Sequence, residues 1–267
     1  MSPTELVQHA IINGVTVLGL TDHDTISGWQ EAVAALRGEL QLALGAEISC
    51  LTEDHKSVHM LGLLFDPNYQ PLQDALESSR DDRIPRMKKM IELMAADGIA
   101  ITFEEVEAHR PDGATLGRPH LADTLVAKGV VKSRDEAFAN LLNNDSKYYV
   151  SHFAPTPIEA IKLIKEAGGV SVIAHPFASF RGANLTSEDL ANMKSAGLNG
   201  IEVDHRDQNS GERLTLRNIA NELDLITTGA SDFHGAGKLN LIAEEVTAPE
   251  HWLRLESLAN QRRVATK

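Results

Sequence analysis

A short apolar run that ends in ionisable residues is the feature that most constrains the fold of this chain. The run covers residues 15–20 (Val-Thr-Val-Leu-Gly-Leu), and Thr21-Asp22-His23-Asp24 follows it directly. An apolar, β-branched run that is entered from Gly14 predicts a buried strand. In α/β folds, ionisable side chains at the carboxyl end of such a strand mark the edge of the sheet where sites are built. The alternative is a helix N-cap with incidental polar neighbours.

The same pattern recurs along the chain. Further strand-like runs carry a His, an Asp or a Glu at or near their carboxyl end, and the side chains concerned are Glu47, His59, His175, Glu202, Asp232 and His234. A single His of this kind is usually a packed core residue. Several ionisable side chains at the same height along neighbouring strands are difficult to explain as core packing. Because buried, unpaired charge is costly, the pattern predicts a metal centre. Mixed His and carboxylate ligands favour Mn, Fe or Zn over Mg or Ca.

Length, charge and cysteine content narrow the class of protein. A chain of 267 residues can form one α/β barrel, or one domain with an insertion, and 4% aromatic residues suggest an aliphatic core. The net charge of −13 argues against an extended nucleic-acid surface but leaves room for a nucleotide or a short RNA. The lone Cys50 excludes a disulfide framework within the chain. With no apolar run of transmembrane length and no leader pattern, we expect a cytoplasmic monomer without a membrane partner.

The alternation of predicted strands and helices is interrupted between residues 98 and 149. Capping patterns at Thr102 and Ser133 predict short helices there, and a third covers residues 117–128. We therefore predict a barrel made of residues 1–97 and 150–267, and an inserted helical subdomain at 98–149 that is a lid or only a decoration. At the start of one of its helices, Gly117-Arg118-Pro119-His120 places an Arg and a His at the helix N-terminus. Both side chains could contact a phosphate there, because the N-terminal amides also favour anions.

Four segments, taken in order, resemble the motifs of the PHP-domain (polymerase and histidinol phosphatase) phosphoesterases. They are Thr21-Asp22-His23-Asp24, Gly45-Ala46-Glu47, Ala174-His175-Pro176 and Ser231-Asp232-Phe233-His234. The resemblance covers nearly the whole chain. The insertion with residues 117–120 is similar to one branch, which contains 3′,5′-nucleoside bisphosphate phosphatases and the 5′-to-3′ exoribonuclease called RNase AM. It implies a distorted (β/α)7 barrel and a hydrolase with two to three divalent ions, usually manganese and sometimes iron or zinc.

The resemblance also implies roles for single residues. Glu47 would bridge two metals, His59 and His175 would complete one of these, and Asp232 would belong to the other. His23 and His234 would hold the third. The predicted catalytic residues are then His23, Glu47, His175, Asp232 and His234, and the predicted substrate-binding residues are Arg118 and His120. Supporting roles are expected for Asp22 and Asp24, which orient His23 or hold the turn, and for Glu202 as a buried partner, whereas His152, His205 and Arg181 are left open.

One departure from the family concerns the beginning of the chain. The family starts with a strand that carries a His-x-His motif and a following Asp, whereas Ser2-Pro3-Thr4-Glu5 predicts a helix directly after Met1. The expected fold is therefore an α/β barrel with its first strand missing, through a misplaced start, truncation or degeneration. A misplaced start or a fragment fits best, since the downstream ligands are present.

The predicted function is hydrolysis of phosphate esters by metal-activated water. The substrates would be 3′,5′-nucleoside bisphosphates, or the 5′ end of a short RNA that is degraded exonucleolytically. One alternative is a phosphatase for another small metabolite, such as histidinol phosphate. Another is a catalytically impaired fragment that only binds metals or nucleotides.

Overall fold

The structure is a computed structural model that describes residues 1–54, 56–110, 114–143, 145–150, 154–178, 185–235, 238–260 and 264–267. It divides into two compact units, of which the first comprises Met1–Asp74 and Pro155–Lys267 and the second comprises Ala75–Ala154. The second unit begins upstream of residue 98, where we place the start of the insertion from sequence.

All strands in the described residues belong to the first unit and form one sheet. They are β1 (Val17–Leu20), β2 (Gln41–Leu51), β3 (Ser57–Leu63), β4 (Val170–Ala174), β5 (Gly200–Asp204) and β6 (Ile226–Gly229). Their order in the curled sheet follows the chain, β1-β2-β3-β4-β5-β6. β1 and β2 are parallel, β3 is antiparallel to both of its neighbours, and β4, β5 and β6 are parallel. This mixed α/β architecture is consistent with a PHP-like fold, and the distorted (β/α)7 barrel stays a prediction.

Helices flank the strands and make up the second unit. The first unit contains α1 (Pro3–Ile12), α2 (Trp29–Ala35), α8 (Pro157–Glu166), α9 (Ser187–Ala196), α10 (Ser210–Glu222) and α11 (Pro249–Ser257). α3 (Gln70–Asp81) runs across the boundary between the units. The second unit contains α4 (Arg83–Ala96), α5 (Phe103–Glu107), α6 (Arg118–Ala127) and α7 (Arg134–Asn140).

Several predicted helix starts are confirmed. The side chains of Ser2, Thr102, Ser133 and Thr156 each accept a hydrogen bond from a backbone N–H in the first turn of the following helix. We expect Pro85 to divide the helical run between residues 71 and 96. The division lies slightly earlier, at Asp82, because Pro85 then occupies the first turn of α4, where no intrahelical N–H bond is lost.

The two units have separate apolar interiors. In the first unit, the side chains of Ala43, Leu63 and Val172 pack with Leu255 of α11. In the second, Met87, Met90 and Met94 of α4 pack with side chains of α6 such as Leu121 and Leu125. Among the described residues, no helix is both long and apolar enough to cross a membrane.

Candidate metal centre

Glu47, in the middle of β2, lies at the centre of a histidine cluster. Its Oε1 is 2.7 Å from Nδ1 of His59 and 3.5 Å from Nε2 of His175. Its Oε2 is 3.7 Å from Nδ1 of His23. The carboxylate is 7% exposed, and thus three imidazoles surround a buried charge. The structure therefore brings together four of the side chains that the motifs identify.

The strand directions explain how these side chains meet. His23 follows β1 and forms a parallel bridge with Glu47, whose N–H donates to the carbonyl oxygen of Asp22. His59 pairs with Ala174, the residue before His175. Because β3 runs antiparallel, it is near its beginning, and not its carboxyl end, that β3 carries His59 to this edge. The prediction that each strand contributes from its carboxyl end is therefore wrong for His59.

The electrostatics of Glu47 follow from these contacts. Burial by itself raises the pKa of Glu47, but the adjacent His23 and His59 outweigh it and hold the pKa well below its usual value. Burial also raises the pKa of Asp22, and repulsion from Glu47 adds to this, whereas His234 acts in the opposite direction. Asp22 thus shares the electrostatic field of the cluster, in addition to holding the turn through its carbonyl oxygen.

Asp24 has a structural task next to the cluster. Its side chain is completely buried, and its backbone lies in the left-handed region, with φ of +53°. The carboxylate accepts hydrogen bonds from the backbone N–H and the hydroxyl of Ser49, at 2.8 and 2.9 Å. These bonds fasten the turn after β1 to β2, which is the second of the two roles expected for this residue.

A buried carboxylate supports the backbone at His175. His175 has φ of +29°, a sparsely populated conformation that the surrounding structure must enforce. Its N–H donates to Oε2 of Glu202, at 2.8 Å, and Glu202 is 2% exposed. Gln208 accepts the N–H of Phe177 and donates to the carbonyl oxygen of Val203. Glu202 therefore holds the peptide that presents His175.

Asp232 is the centre of a neighbouring group. Its backbone is also left-handed, with φ of +47°, and its Oδ1 lies 3.2 Å from Nδ1 of the exposed His234. Its Oδ2 lies 2.6 Å from Nζ of Lys238 and 3.5 Å from Nε2 of His205. Sequence reasoning misses Lys238, because a lysine in a polar segment forms no pattern.

His205 contacts this group in a defined protonation form. The ring is completely buried, and the backbone N–H of Asp207 donates to Nδ1, at 3.0 Å. In a neutral ring the hydrogen therefore sits on Nε2, the atom that faces Asp232. Possible ligand atoms of His205, Asp207 and Asp232 lie within 4.8 Å of one another. However, in this tautomer Nε2 carries a hydrogen, which does not suit a metal ligand, and it makes no hydrogen bond within the described residues.

The cluster around Glu47 fits a metal ion by the chemistry of its donors. Ligand atoms of His23, Glu47 and His59 lie within 4.8 Å of one another. Nδ1 of His59 is buried and makes no hydrogen bond within the described part of the chain, although it faces Oε1 of Glu47. Imidazole and carboxylate ligands suit borderline divalent ions. The ring of His234 is 6.2 Å from that of His23, and this contact connects the two groups. Divalent metals are therefore the cofactors that these residues support.

The two predicted substrate-binding residues lie in the second unit. Arg118 opens α6, and its Nη1 donates to the carbonyl oxygen of Leu142, at 2.6 Å. His120 accepts the N–H of Gly117 on Nδ1, at 3.1 Å, and burial lowers its pKa. His152 and Arg181 lie outside the described residues.

Comparisons with known proteins place these observations in a family, although no family model matches the chain. A 3′,5′-nucleoside bisphosphate phosphatase from Chromobacterium violaceum is 32% identical, and the match covers 89% of this chain and 84% of that protein. A 5′-3′ exoribonuclease from Haemophilus influenzae is 34% identical, over 88% of this chain and 85% of that one. A solved structure of a proposed metal-dependent phosphoesterase from Bifidobacterium adolescentis superimposes with a TM-score of 0.89. It is 38% identical and covers 97% of this chain and 91% of that one.

These likenesses agree with the motifs and with the clustered side chains. The chain is similar to a phosphatase, an exoribonuclease and a metal-dependent phosphoesterase, all of them hydrolases of phosphate esters by name. The side chains around Glu47 and around Asp232 include groups whose atoms are close enough to hold a metal ion. The chain therefore belongs to the PHP family of metal-dependent phosphoesterases, in the branch of the nucleoside bisphosphate phosphatases and 5′-3′ exoribonucleases.

Proposed function

We propose that this protein hydrolyses phosphate esters of nucleotides, either 3′,5′-nucleoside bisphosphates or the 5′ end of a short RNA. The observation that carries the proposal is the buried carboxylate of Glu47 among His23, His59 and His175, next to Asp232. The two relatives reported above act, by name, on a nucleoside bisphosphate and on RNA. An acidic chain suits a small or end-bound substrate better than an extended one.

Each predicted ligand has a place in this proposal. Two to three divalent ions, with manganese as the proposed metal, would be held by His23, Glu47, His59, His175, Asp232 and His234. Such ions, when bound, neutralise the charge of phosphate oxygens and lower the pKa of water into the neutral range. Nε2 of His205 lies 3.5 Å from Oδ2 of Asp232, and Lys238 balances the charge of the same carboxylate.

The second unit would supply phosphate contacts from Arg118 and His120 and act as a lid. Guanidinium groups bind phosphate through two parallel hydrogen bonds, and a helix N-terminus favours negative charge. Both residues lie in the first turn of α6, which supports the assignment. A monomer with a distorted barrel of the (β/α)7 type belongs to the same proposal.

A substrate panel after manganese loading tests the function. We would measure metal content by elemental analysis and then assay adenosine 3′,5′-bisphosphate, a 5′-phosphorylated short RNA and histidinol phosphate. Phosphate release from the bisphosphate, or mononucleotides from the RNA, would support the proposal and distinguish its two forms. Hydrolysis of histidinol phosphate alone would favour the metabolite phosphatase, and binding without turnover would favour an impaired fragment.

His234→Ala is the sharpest variant for the assignment of the site. The side chain of His234 is exposed, and we expect the fold to survive its removal while turnover is lost. His109→Ala is the matched control, because His109 is an exposed histidine of the second unit with no assigned role. Full activity in the His234 variant would refute its role in the site.

A further inference from the structure

A lysine from the segment that follows β6 contacts the group around Asp232. Nζ of Lys238 donates to Oδ2 of Asp232, at 2.6 Å, and within the described residues this carboxylate is the acceptor of the ammonium. An ammonium has three N–H donors, so this bond leaves donors for a ligand. The side chain of Lys238 is 28% exposed, whereas that of Asp232 is 10% exposed. Lys238 therefore lies on the solvent side of the group.

Other residues fasten the segment that carries Lys238. Nδ2 of the buried Asn240 donates to the carbonyl oxygen of Ser231, at 2.7 Å. Nη1 of Arg206, two residues after the end of β5, donates to the carbonyl oxygen of Leu239, at 2.8 Å. These two bonds hold the backbone next to Lys238, and neither of them involves the lysine side chain.

The ion pair between Lys238 and Asp232 adds little to folding by itself. A partly exposed ammonium is well solvated, and water and salt screen its attraction to a carboxylate. Ring nitrogens of His205 and His234 also lie near the carboxylate of Asp232, at 3.5 and 3.2 Å. A purely structural role would therefore leave the position of this positive charge unexplained.

The charges of the site favour an ammonium that faces an incoming anion. The carboxylates of Glu47, Asp22 and Asp232 belong to the two groups described above. The rings of His23 and His234, which are 6.2 Å apart, connect these groups. A phosphoryl group brings about two negative charges, and repulsion from the carboxylates opposes its binding. A permanent positive charge at the edge of the site offsets this repulsion, together with any bound metal ions.

We propose that Lys238 binds the phosphoryl group that is hydrolysed, and that Asp232 holds the ammonium at the site until the substrate arrives. The assignment rests on the proposed function, because the phosphoryl group is that of its substrate. Lysine binds phosphate as a compact point charge on a flexible stem, so Nζ can turn from a carboxylate to a phosphoryl oxygen without movement of the fastened backbone. Lys238 would then be a substrate-binding residue of the first unit.

Calorimetric titration of inorganic phosphate into the manganese-loaded, full chain tests this assignment. Wild type, Lys238→Gln and Lys194→Gln would be compared, and the manganese content of each would be measured by elemental analysis. A glutamine at position 238 keeps a donor for Asp232 but has no charge. We expect Lys238→Gln to bind phosphate about tenfold more weakly at unchanged manganese content, through the loss of one charged hydrogen bond.

Lys194→Gln is the matched control and should bind phosphate like the wild type. Nζ of Lys194 is also hydrogen-bonded, to the carbonyl oxygen of Asp224, at 2.8 Å. This contact lies before the beginning of β5 and β6, whereas Asp232 and Lys238 follow the end of β6. An equal loss of phosphate affinity in Lys194→Gln would reduce the effect to net charge and would overturn the assignment.

Circular dichroism and urea unfolding would show whether each variant is folded, and Lys238→Met takes the place of Lys238→Gln if the latter is not. Wild-type phosphate affinity in the folded variant overturns the assignment, and so does a wild type that binds no phosphate. A fall in manganese content also overturns it, because the lysine would then act on Asp232 and not on phosphate. Nucleotide hydrolysis by the wild type with unchanged phosphate binding in the variant would leave the proposed function intact. Lysine-dependent phosphate binding without hydrolysis of any tested substrate would do the reverse.

Discussion

Removal of the Asp24 carboxylate tests whether the turn after β1 is held as the structure indicates. The carboxylate is fully buried and accepts two hydrogen bonds from Ser49. Hydrogen bonds to a charged group contribute roughly 1.5–3 kcal/mol each, so their loss in Asp24→Ala costs about 3–6 kcal/mol. An alanine in left-handed backbone adds about 1–2 kcal/mol to this loss. The variant no longer buries a charged group, and this gain offsets a similar amount. We therefore expect unfolding free energy to fall by about 4 kcal/mol.

Urea unfolding followed by tryptophan fluorescence measures this loss in the relevant unit. The two tryptophans, Trp29 and Trp252, both belong to the first unit. Trp29 is buried and donates from Nε1 to the carbonyl oxygen of Gly45, two residues before Glu47. With a slope of about 2 kcal/mol per molar urea, the midpoint should fall by roughly 2 M.

Two milder variants provide the controls. Asp24→Asn retains an acceptor and tolerates left-handed backbone, so it should lose clearly less than Asp24→Ala. Ser49→Ala removes only the hydroxyl bond, and we expect about half of the full effect or less. An Asp24→Ala protein within about 1 kcal/mol of the wild type would refute the reasoning, since one charged hydrogen bond alone exceeds that.

Three further predictions concern the backbone and charge of the Glu47 cluster. The pKa of Glu47 lies well below 4.5 in the folded protein, so its stabilising contribution is present above pH 4.5 and lost as the pH falls further. In metal-free protein, the unfolding free energies of wild type and Glu47→Gln should therefore converge in strong acid, and a constant difference would contradict this. Gly45→Ala would place Cβ 2.3 Å from a carbonyl oxygen of β3 and should lower the unfolding free energy, measured by urea titration, by about 1–3 kcal/mol or more, whereas Gly19→Ala, with open space around it, should not. Glu202→Gln weakens the support of the His175 peptide, and manganese affinity measured by titration should fall about 10- to 100-fold; unchanged affinity would exclude this supporting role.

Much of the first unit follows from local pattern. Apolar runs of strand length, each bounded by turns and caps, predict the strands near residues 15–20, 40–48, 57–65, 170–174, 200–203 and 225–229, and the structure contains a strand in each. Capping residues such as Ser2 and Thr156 predict helix starts equally well, because a cap is a contact between residues three positions apart. The order of the metal-ligand motifs also identifies the family.

The direction of β3 is not visible in such patterns. A buried strand shows the same apolar run whether it runs parallel or antiparallel to its neighbours. Sequence alone therefore does not show that the beginning of β3, which carries His59, lies at the same edge of the sheet as His175. The same limit applies to Lys238 and His205, whose contacts with Asp232 join residues from separate segments.

Local patterns along the chain are thus enough to predict the elements, the chemistry of the donors and the family of this protein. Which donors face one another depends on how the elements pack: Glu47 with three histidines, Asp24 with Ser49, and Asp232 with Lys238. The physical reason is the range of the forces involved. Propensity, periodicity and capping act within a few residues along the chain, whereas hydrogen bonds and charge interactions depend on distances through space that the packing of the elements sets.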